Sequence, residues 1–179
     1  SRTPGGRRAA GGGRRAGGAV GGGRVGDTRD MRISEISPHD DTVGGRLLEV
    51  QHAAYAVEAE IIGDTRIPPL SETLDELRAR PLTWAAAYDG DLLVGAVAWT
   101  ETADEVDIDR LVVAPEAHRR GVGRALVEEV TGRAGDRRIV VSTGRDNGPA
   151  RGLYERLGFV KSGEVEVIPG LWVVEYARG

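Results

Sequence analysis

The stretch Ile108-Asp109-Arg110-Leu111-Val112-Val113-Ala114-Pro115-Glu116-Ala117-His118-Arg119-Arg120-Gly121-Val122-Gly123-Arg124-Ala125-Leu126 decides how this chain is read. A strand-like apolar run ends at Pro115, a basic loop follows, and two glycines one residue apart open a segment with helical apolar spacing. Physically this junction is an anion cradle. A helix N-terminus presents N–H groups without helical partners, together with the positive end of the helix dipole. Gly121 and Gly123 let a phosphate approach the backbone, and Arg119, Arg120 and Arg124 add charge. A Gly-x-Gly turn beside a solvated Arg cluster would look the same if nothing else accompanied it. Two phosphate-binding classes are excluded. The third glycine of a dinucleotide fingerprint is missing, as are the Lys and Ser/Thr of a P-loop.

Working outward, the residues on either side alternate between strand and helix patterns. Residues 31–36 read as a first strand, and Ser37-Pro38 is expected to open a helix. Val43, Leu47, Val50, Ala54, Val57 and Ile61 recur at helical steps, and Gly63 stops them. Ile67-Pro68-Pro69-Leu70 reads as a rigid loop, because each Pro fixes its own φ and restricts its predecessor. A short helix capped by Ser71 follows, running to Arg80. Strands over 84–88 and 92–100 flank the hairpin signal Asp89-Gly90, and the second is apolar on both faces, as a central strand should be. Residues 105–113 form the next strand, 121–134 a helix with Val122, Ala125, Leu126 and Val130 inward, 138–142 a short strand, and 147–157 a helix stopped by Gly158. A hairpin around Pro169-Gly170 closes the chain. The order is β-α-α-β-β-β-α-β-α-β-β. The strand–helix–strand unit over 105–142 should be a right-handed parallel crossover in an otherwise antiparallel sheet.

A second stretch belongs beside the first: Asn147-Gly148-Pro149-Ala150-Arg151-Gly152-Leu153-Tyr154-Glu155-Arg156-Leu157-Gly158-Phe159-Val160. Residues 118–123 resemble the acyl-CoA-binding motif Q/R-x-x-G-x-G/A of the GNAT N-acyltransferase superfamily. Residues 147–159 resemble its N-x-x-A-x-x-L-Y-x-x-x-G-F segment. The two lie in the family's order and spacing, on the elements assigned above. One departure stands out: His118 occupies the Q/R slot, so a specific side-chain contact there is in doubt, while a cradle built from backbone N–H groups is not.

The resemblance implies an α/β fold with a mixed, mostly antiparallel sheet, one parallel crossover and helices on both faces. It implies a V-shaped gap between the strands at 106–113 and 138–142. Acetyl-CoA would lie there, its pantetheine along Leu111, Val112 and Val113 and its pyrophosphate over His118, Arg119, Arg120, Gly121, Val122, Gly123 and Arg124, with Asn147 beside it. A strand N–H, at Val113, would polarise the acyl carbonyl, and a neutral amine would attack it directly. Tyr154 matches the family's Tyr that returns a proton to the departing thiolate, a role a phenol suits because it stays protonated near neutral pH. Its other reading is a Tyr packed on a helix face.

For the base, Asp107 and Asp109 lie two apart on one strand and are expected to share a face with Leu111 and Val113. The alternative is an exposed strand start beginning at Asp104-Glu105. Gln51, His52, Tyr55, Glu58 and Glu60 cluster late in the first helix, where carboxylates would attract a cationic amine or simply form a solvated face. No metal is expected.

Composition bounds the rest. The chain has 179 residues and no Cys, which excludes a disulfide scaffold, a thiolate zinc site and a cysteine nucleophile. No apolar run approaches the roughly 20 residues that span a bilayer, and Arg7-Arg8 is followed by no apolar segment of a secretory signal. A cytoplasmic protein without membrane partners is expected; an oligomer is compatible with the sequence. Residues 1–30 hold seven Arg against Asp27 and Asp30, a net of +5, which leaves −9 for the body within the total of −4. With eleven Gly in thirty residues, this stretch cannot offset its ordering entropy and is expected to be a disordered extension preceding one acetyltransferase-like domain over 31–179. It is read first as translated upstream sequence and second as a basic tail for nucleic acid. The acidic body speaks against phosphate-backbone binding by the domain itself. Two functions follow: an N-acetyltransferase acting on a primary amine, or an acyl-CoA-binding sensor or interaction module with little catalysis.

Overall fold

The computed structural model describes residues 31–179; the Gly/Arg-rich extension expected over residues 1–30 lies outside the described residues. Thirteen elements follow one another, and eleven of them are strands or α-helices: β1 (Met31–Ile36), α1 (Asp41–Ile62), α2 (Leu74–Ala79), β2 (Thr83–Asp89), β3 (Leu92–Glu101), β4 (Glu105–Val113), α3 (Val122–Ala134), β5 (Arg138–Gly144), α4 (Gly148–Arg156), β6 (Val160–Ile168) and β7 (Leu171–Arg178). Short 3-10 turns at Pro68–Leu70 and Pro115–Ala117 complete the order. The strands form one sheet in the order β1-β2-β3-β4-β5-β7-β6, with β4 and β5 the parallel pair and every other pair antiparallel. This is the expected mixed sheet.

Helices cover both faces. The Gln51 side chain of α1 meets Arg110 of β4 on one face. On the other, a Cβ placed at Gly95 of β3 would lie 2.8 Å from Val122 and 3.2 Å from Leu126 of α3. That close approach requires glycine at position 95. The core is aliphatic and Ala-rich, with Trp84 and Trp99 its largest fully buried side chains, Leu47, Val97, Leu126 and Val127 among the rest. Each such aliphatic side chain contributes about 1.5–3 kcal/mol relative to leaving it exposed.

Several local expectations need correction. α1 begins at Asp41, not at Ser37-Pro38, because Asp40 is the better cap: its carboxylate accepts the Thr42 N–H at 2.9 Å while residues 37–40 close a turn. α2 is capped by Thr73, whose hydroxyl accepts the Glu76 N–H at 3.2 Å, whereas Ser71 closes the 3-10 turn behind Pro68. The expected apolar stripe of α1 also shifts. Val57 is half-buried and Ile61 is exposed, and the inward line takes in Leu47, Val50, Gln51 and Ala59. In α3, Val127 is buried and Ala125 only half-buried.

Candidate active site

β4 and β5 pair only from Glu105↔Arg138 to Ile108↔Val141, yet both strands run on, to Val113 and Gly144. Beyond Ile108 they part, and a gap opens between them. Its cause lies in β4. Ala98 of β3 pairs with Arg110 and Trp99 with Ile108, which leaves Asp109 as an extra residue in a β-bulge. A bulge bends its strand and shifts the alternation of its side chains.

The shift corrects the expected sharing of a face. Before the bulge, Asp107 pairs with Thr100; after it, Arg110 pairs with Ala98 and Val112 with Ala96, on the same face. Leu111 and Val113 pair with Val97 and Gly95 on the opposite face, toward α3. Asp107 therefore does not share a face with Leu111 and Val113, and Asp109, the inserted residue, has no partner in the ladder. Period-2 counting fails wherever one residue is inserted into the pleat.

On the α3 side the gap is lined by small and aliphatic groups. A Cβ at Gly123 would touch Leu153 at 3.4 Å and Leu111 and Val113 at 3.7 Å, so the first turn of α3, α4 and β4 converge there. The loop into α3 has the shape of an anion nest. Arg119 has φ +63° and Gly121 φ +76°, and Gly121 caps the helix with no side-chain bond to the first-turn N–H groups. Arg119 is the positive-φ non-glycine residue among the described residues, a strained conformation that turns successive N–H groups inward. The donor set fits a phosphate. Arg120 donates to Asp89 through Nη1 at 3.0 Å while its Nε is buried without a partner. His118 and Arg119 are exposed, and Arg124 is exposed and paired to Glu128 at 2.9 Å.

On the other side stand the polar groups. Asn147 is buried and accepts the Ala150 N–H at 3.2 Å, capping α4. Tyr154, two turns on, is buried with its ring edge-on to Phe159 at 5.5 Å. Burial, and then the charge of Glu58, push its phenol above the usual range, so it is held protonated. Of the two sequence readings of Tyr154, the packed aromatic describes its contacts with Phe159 and Tyr176. Asp107 is raised by burial first and then by Asp109 and Glu105. Asp109 is engaged on both oxygens, by Arg80 at 3.2 Å and by Arg110 at 2.7 Å.

Five residues join into a network that their spacing in the sequence does not show: Arg110, Gln51, His52, Tyr55 and Glu58. Arg110 is buried and joins Asp109, Glu72 at 2.8 Å and the Gln51 amide oxygen at 3.0 Å. Gln51 in turn donates to Glu72 and the Pro69 carbonyl, and a ring nitrogen of His52 lies 2.7 Å from the Glu72 carbonyl. This network ties the loop between α1 and α2 to the bulge. Tyr55 and Glu58 extend the same helix face into the gap. Burial raises the Tyr55 phenol, and the Glu58 charge adds to it. Burial also raises Glu58, against hydrogen bonding from Asn147 and Gly144. The signal was present as a second stripe, Leu47, Gln51, Tyr55, Glu58 and Ile62, in register with the buried line. Among the described residues no group of three His, Asp or Glu side chains could hold a metal, and no helix is long and apolar enough to cross a membrane.

A mixed seven-stranded sheet, parted at its one parallel pair over a glycine-capped helix, has clear relatives. Residues 48–159 match the acetyltransferase (GNAT) family, and the chain belongs to that family. It is 36% identical over 131 residues to the UPF0157 protein YqkA of Bacillus subtilis, a match covering 73% of this chain and 38% of that protein. It is 33% identical over 131 residues to the mycothiol acetyltransferase of Beutenbergia cavernae, covering 66% of this chain and 43% of that one. The matches thus span about two fifths of the length of these curated relatives. Among solved structures, the PaiA N-acetyltransferase of Thermoplasma acidophilum in complex with coenzyme A superposes with a TM-score of 0.64 at 15% identity, covering 81% of this chain and 97% of that one. An aminoglycoside 6'-N-acetyltransferase complexed with coenzyme A gives 0.64 at 17% identity, covering 82% and 96%. These likenesses speak for the fold.

Proposed function

We propose that the domain transfers an acetyl group from acetyl-CoA to a primary amine by direct attack within a ternary complex. The parting of β4 and β5 beyond Ile108, beside an α3 N-terminus whose glycine cap leaves its N–H groups without a side-chain partner, carries this reading. Relatives that carry coenzyme A in the same fold support the choice of ligand. Acetyl-CoA would lay its pyrophosphate on the backbone of residues 119–124, with Arg119, Arg120 and Arg124 supplying charge and His118 at the loop's exposed edge. Its pantetheine would run along Leu111, Val112 and Val113, whose ladder groups toward β5 are free beyond the parting. Val122 seats the helix in the core beneath the cradle, and Asn147 fixes the start of α4 at its far side.

In the reaction, a strand N–H at Val113 polarises the thioester carbonyl, as in an oxyanion hole. Tyr154 holds the proton that the departing thiolate requires. Its burial keeps it a phenol until that moment. Asp107 stands before the bulge and Asp109 within it, with Asp109 occupied by two guanidiniums.

Calorimetric titration of acetyl-CoA tests the reading, with Gly121→Glu as control. Position 121 needs a positive φ, and a carboxylate there would face the pyrophosphate. Binding by the native chain and loss in the variant is the expected result. Absence of binding by the native chain would sink both catalysis and the alternative of an acyl-CoA sensor; binding without turnover of any amine would favour the sensor.

A further inference from the structure

Asp109 is held by two guanidiniums, and a third carboxylate lies beside the parting strands. Glu58 projects from α1 toward the stretch of β5 that has left β4: a Cβ built at Gly144 would lie 3.6 Å from its Oε1 and 3.8 Å from Asn147. Tyr55 lies three residues before Glu58 on the same helix, hence on the same face, and Asn147 caps α4, the helix that carries Tyr154. Neutral Gly144 and Asn147 face Glu58 from β5 and the start of α4. Beyond Tyr55 lie Arg110 and Asp109 of β4, already paired to each other. Glu58 is half-buried and hydrogen-bonded by Asn147 and Gly144, both neutral, so its negative charge has no cationic partner among the described residues.

We propose that Glu58 is the proton acceptor for the incoming amine, and that the acceptor is a cationic primary amine whose ammonium group docks among Glu58, Tyr55 and Tyr154. This rests on the acetyl-transfer reading above. The ammonium R–NH3+ gives one proton to the Glu58 carboxylate. The freed nitrogen lone pair forms a C–N bond to the thioester carbonyl carbon, and the C–S bond breaks. The leaving thiolate takes the phenolic proton of Tyr154, and the remaining acidic N–H of the adduct restores the phenol. Glu58 returns its proton to solvent as the amide leaves, so the step balances as ammonium plus thioester to amide, thiol and one proton. Two phenols beside the carboxylate also suit an ammonium, since aromatic faces attract cations. The partial burial that lifts the proton affinity of Glu58 brings it closer to that of a useful base.

The test uses the full chain, acetyl-CoA and a fixed set of amines (n-butylamine, spermidine and tyramine as cations, aniline as a neutral control), following thiol release against pH. Glu58→Gln should lower kcat by roughly 100-fold or more, leave the acetyl-CoA dissociation constant unchanged, and abolish the acid limb of kcat/KM. Glu58→Asp should keep that limb at a reduced rate, and circular dichroism checks that each variant is folded. Retention of rate and acid limb in Glu58→Gln overturns the assignment. So does loss of the acid limb in Asp107→Asn instead, or binding of acetyl-CoA with no acetylation of any cation. Turnover of aniline as fast as the cations overturns the acceptor class. Failure of the native chain to bind acetyl-CoA overturns the acetyl-transfer reading itself, and with it this one.

Discussion

Tyr154 and Glu58 are a pair of residues whose environments act in the same sense: each is pushed toward its protonated form by burial. The consequences differ because one is to donate and the other to accept. Tyr154→Phe keeps the ring against Phe159 and removes only the hydroxyl. It should lower turnover by roughly 10- to 1000-fold, near the range for general acid–base groups, with acetyl-CoA affinity unchanged; steady-state kinetics and calorimetry on the same preparation check it. Equal loss of affinity would assign the residue to packing. For Glu58 the proton bookkeeping has a stability side. Its folded value lies above its ordinary 4.5, so between the two the folded chain holds a proton that the unfolded chain has released. Stability therefore falls as pH rises through that window. Glu58→Gln should flatten this slope and leave the protein more stable above it, as urea unfolding at a series of pH values would reveal. An unchanged slope in the variant would mean that the folded state does not perturb this carboxylate.

At the scale of elements, the bulge at Asp109 and the network beneath it act together. Arg110 follows the inserted residue and is turned onto the α1 face, where Gln51 and Glu72 meet it and Asp109 closes the other end. A buried guanidinium with this many partners fixes the α1–α2 loop to the strand that forms one wall of the gap. Arg110→Met removes the cation and leaves the buried Glu72 unpaired, which should cost about 3–5 kcal/mol. Adding Glu72→Gln should recover part of that loss, because an unpaired amide is cheaper to bury than an unpaired charge. Chemical denaturation of the single and double variants measures both. A loss below about 1 kcal/mol in the single variant, the range of exposed pairs, would mean that the network is solvated.

For the whole molecule, one sheet runs from β1 at one edge to β6 at the other and carries helices on both faces, all of it drawn from residues 31–179. We propose that this span is the folding and binding unit. A chain cut to 31–179 should have the same Tm and the same acetyl-CoA affinity as the full chain, by calorimetry; a fall in either would give residues 1–30 a part in the domain. Binding of the full chain to DNA or RNA that is lost on cutting would support the basic tail as a tether. A second long-range tie joins opposite ends of the fold: Arg66, paired with Asp64 at 2.7 Å, donates to the Pro169 carbonyl at 3.0 Å. It links the α1–α2 loop to the β6–β7 turn.

Much of this was legible beforehand, and for local reasons. Helical spacing, the Asp89-Gly90 and Pro169-Gly170 turns and the Gly-x-Gly junction depend on neighbours within a few residues, so the element order and the cradle could be read from the chain. The cap of α1 lies three residues beyond Ser37 and that of α2 two beyond Ser71, because Ser37 and Asp40, or Ser71 and Thr73, compete for the same role and only the packed loop chooses. The sequence alone determined the fold class, the family resemblance and Tyr154 as a candidate. Tertiary structure alone decided the rest. An extra residue in one strand is invisible until its partner strand is laid beside it, so the faces of Asp107, Asp109, Leu111 and Val113 could not be counted out. Nor could the place of Glu58, a carboxylate on a helix that reads as solvated until β5 and α4 fold over it.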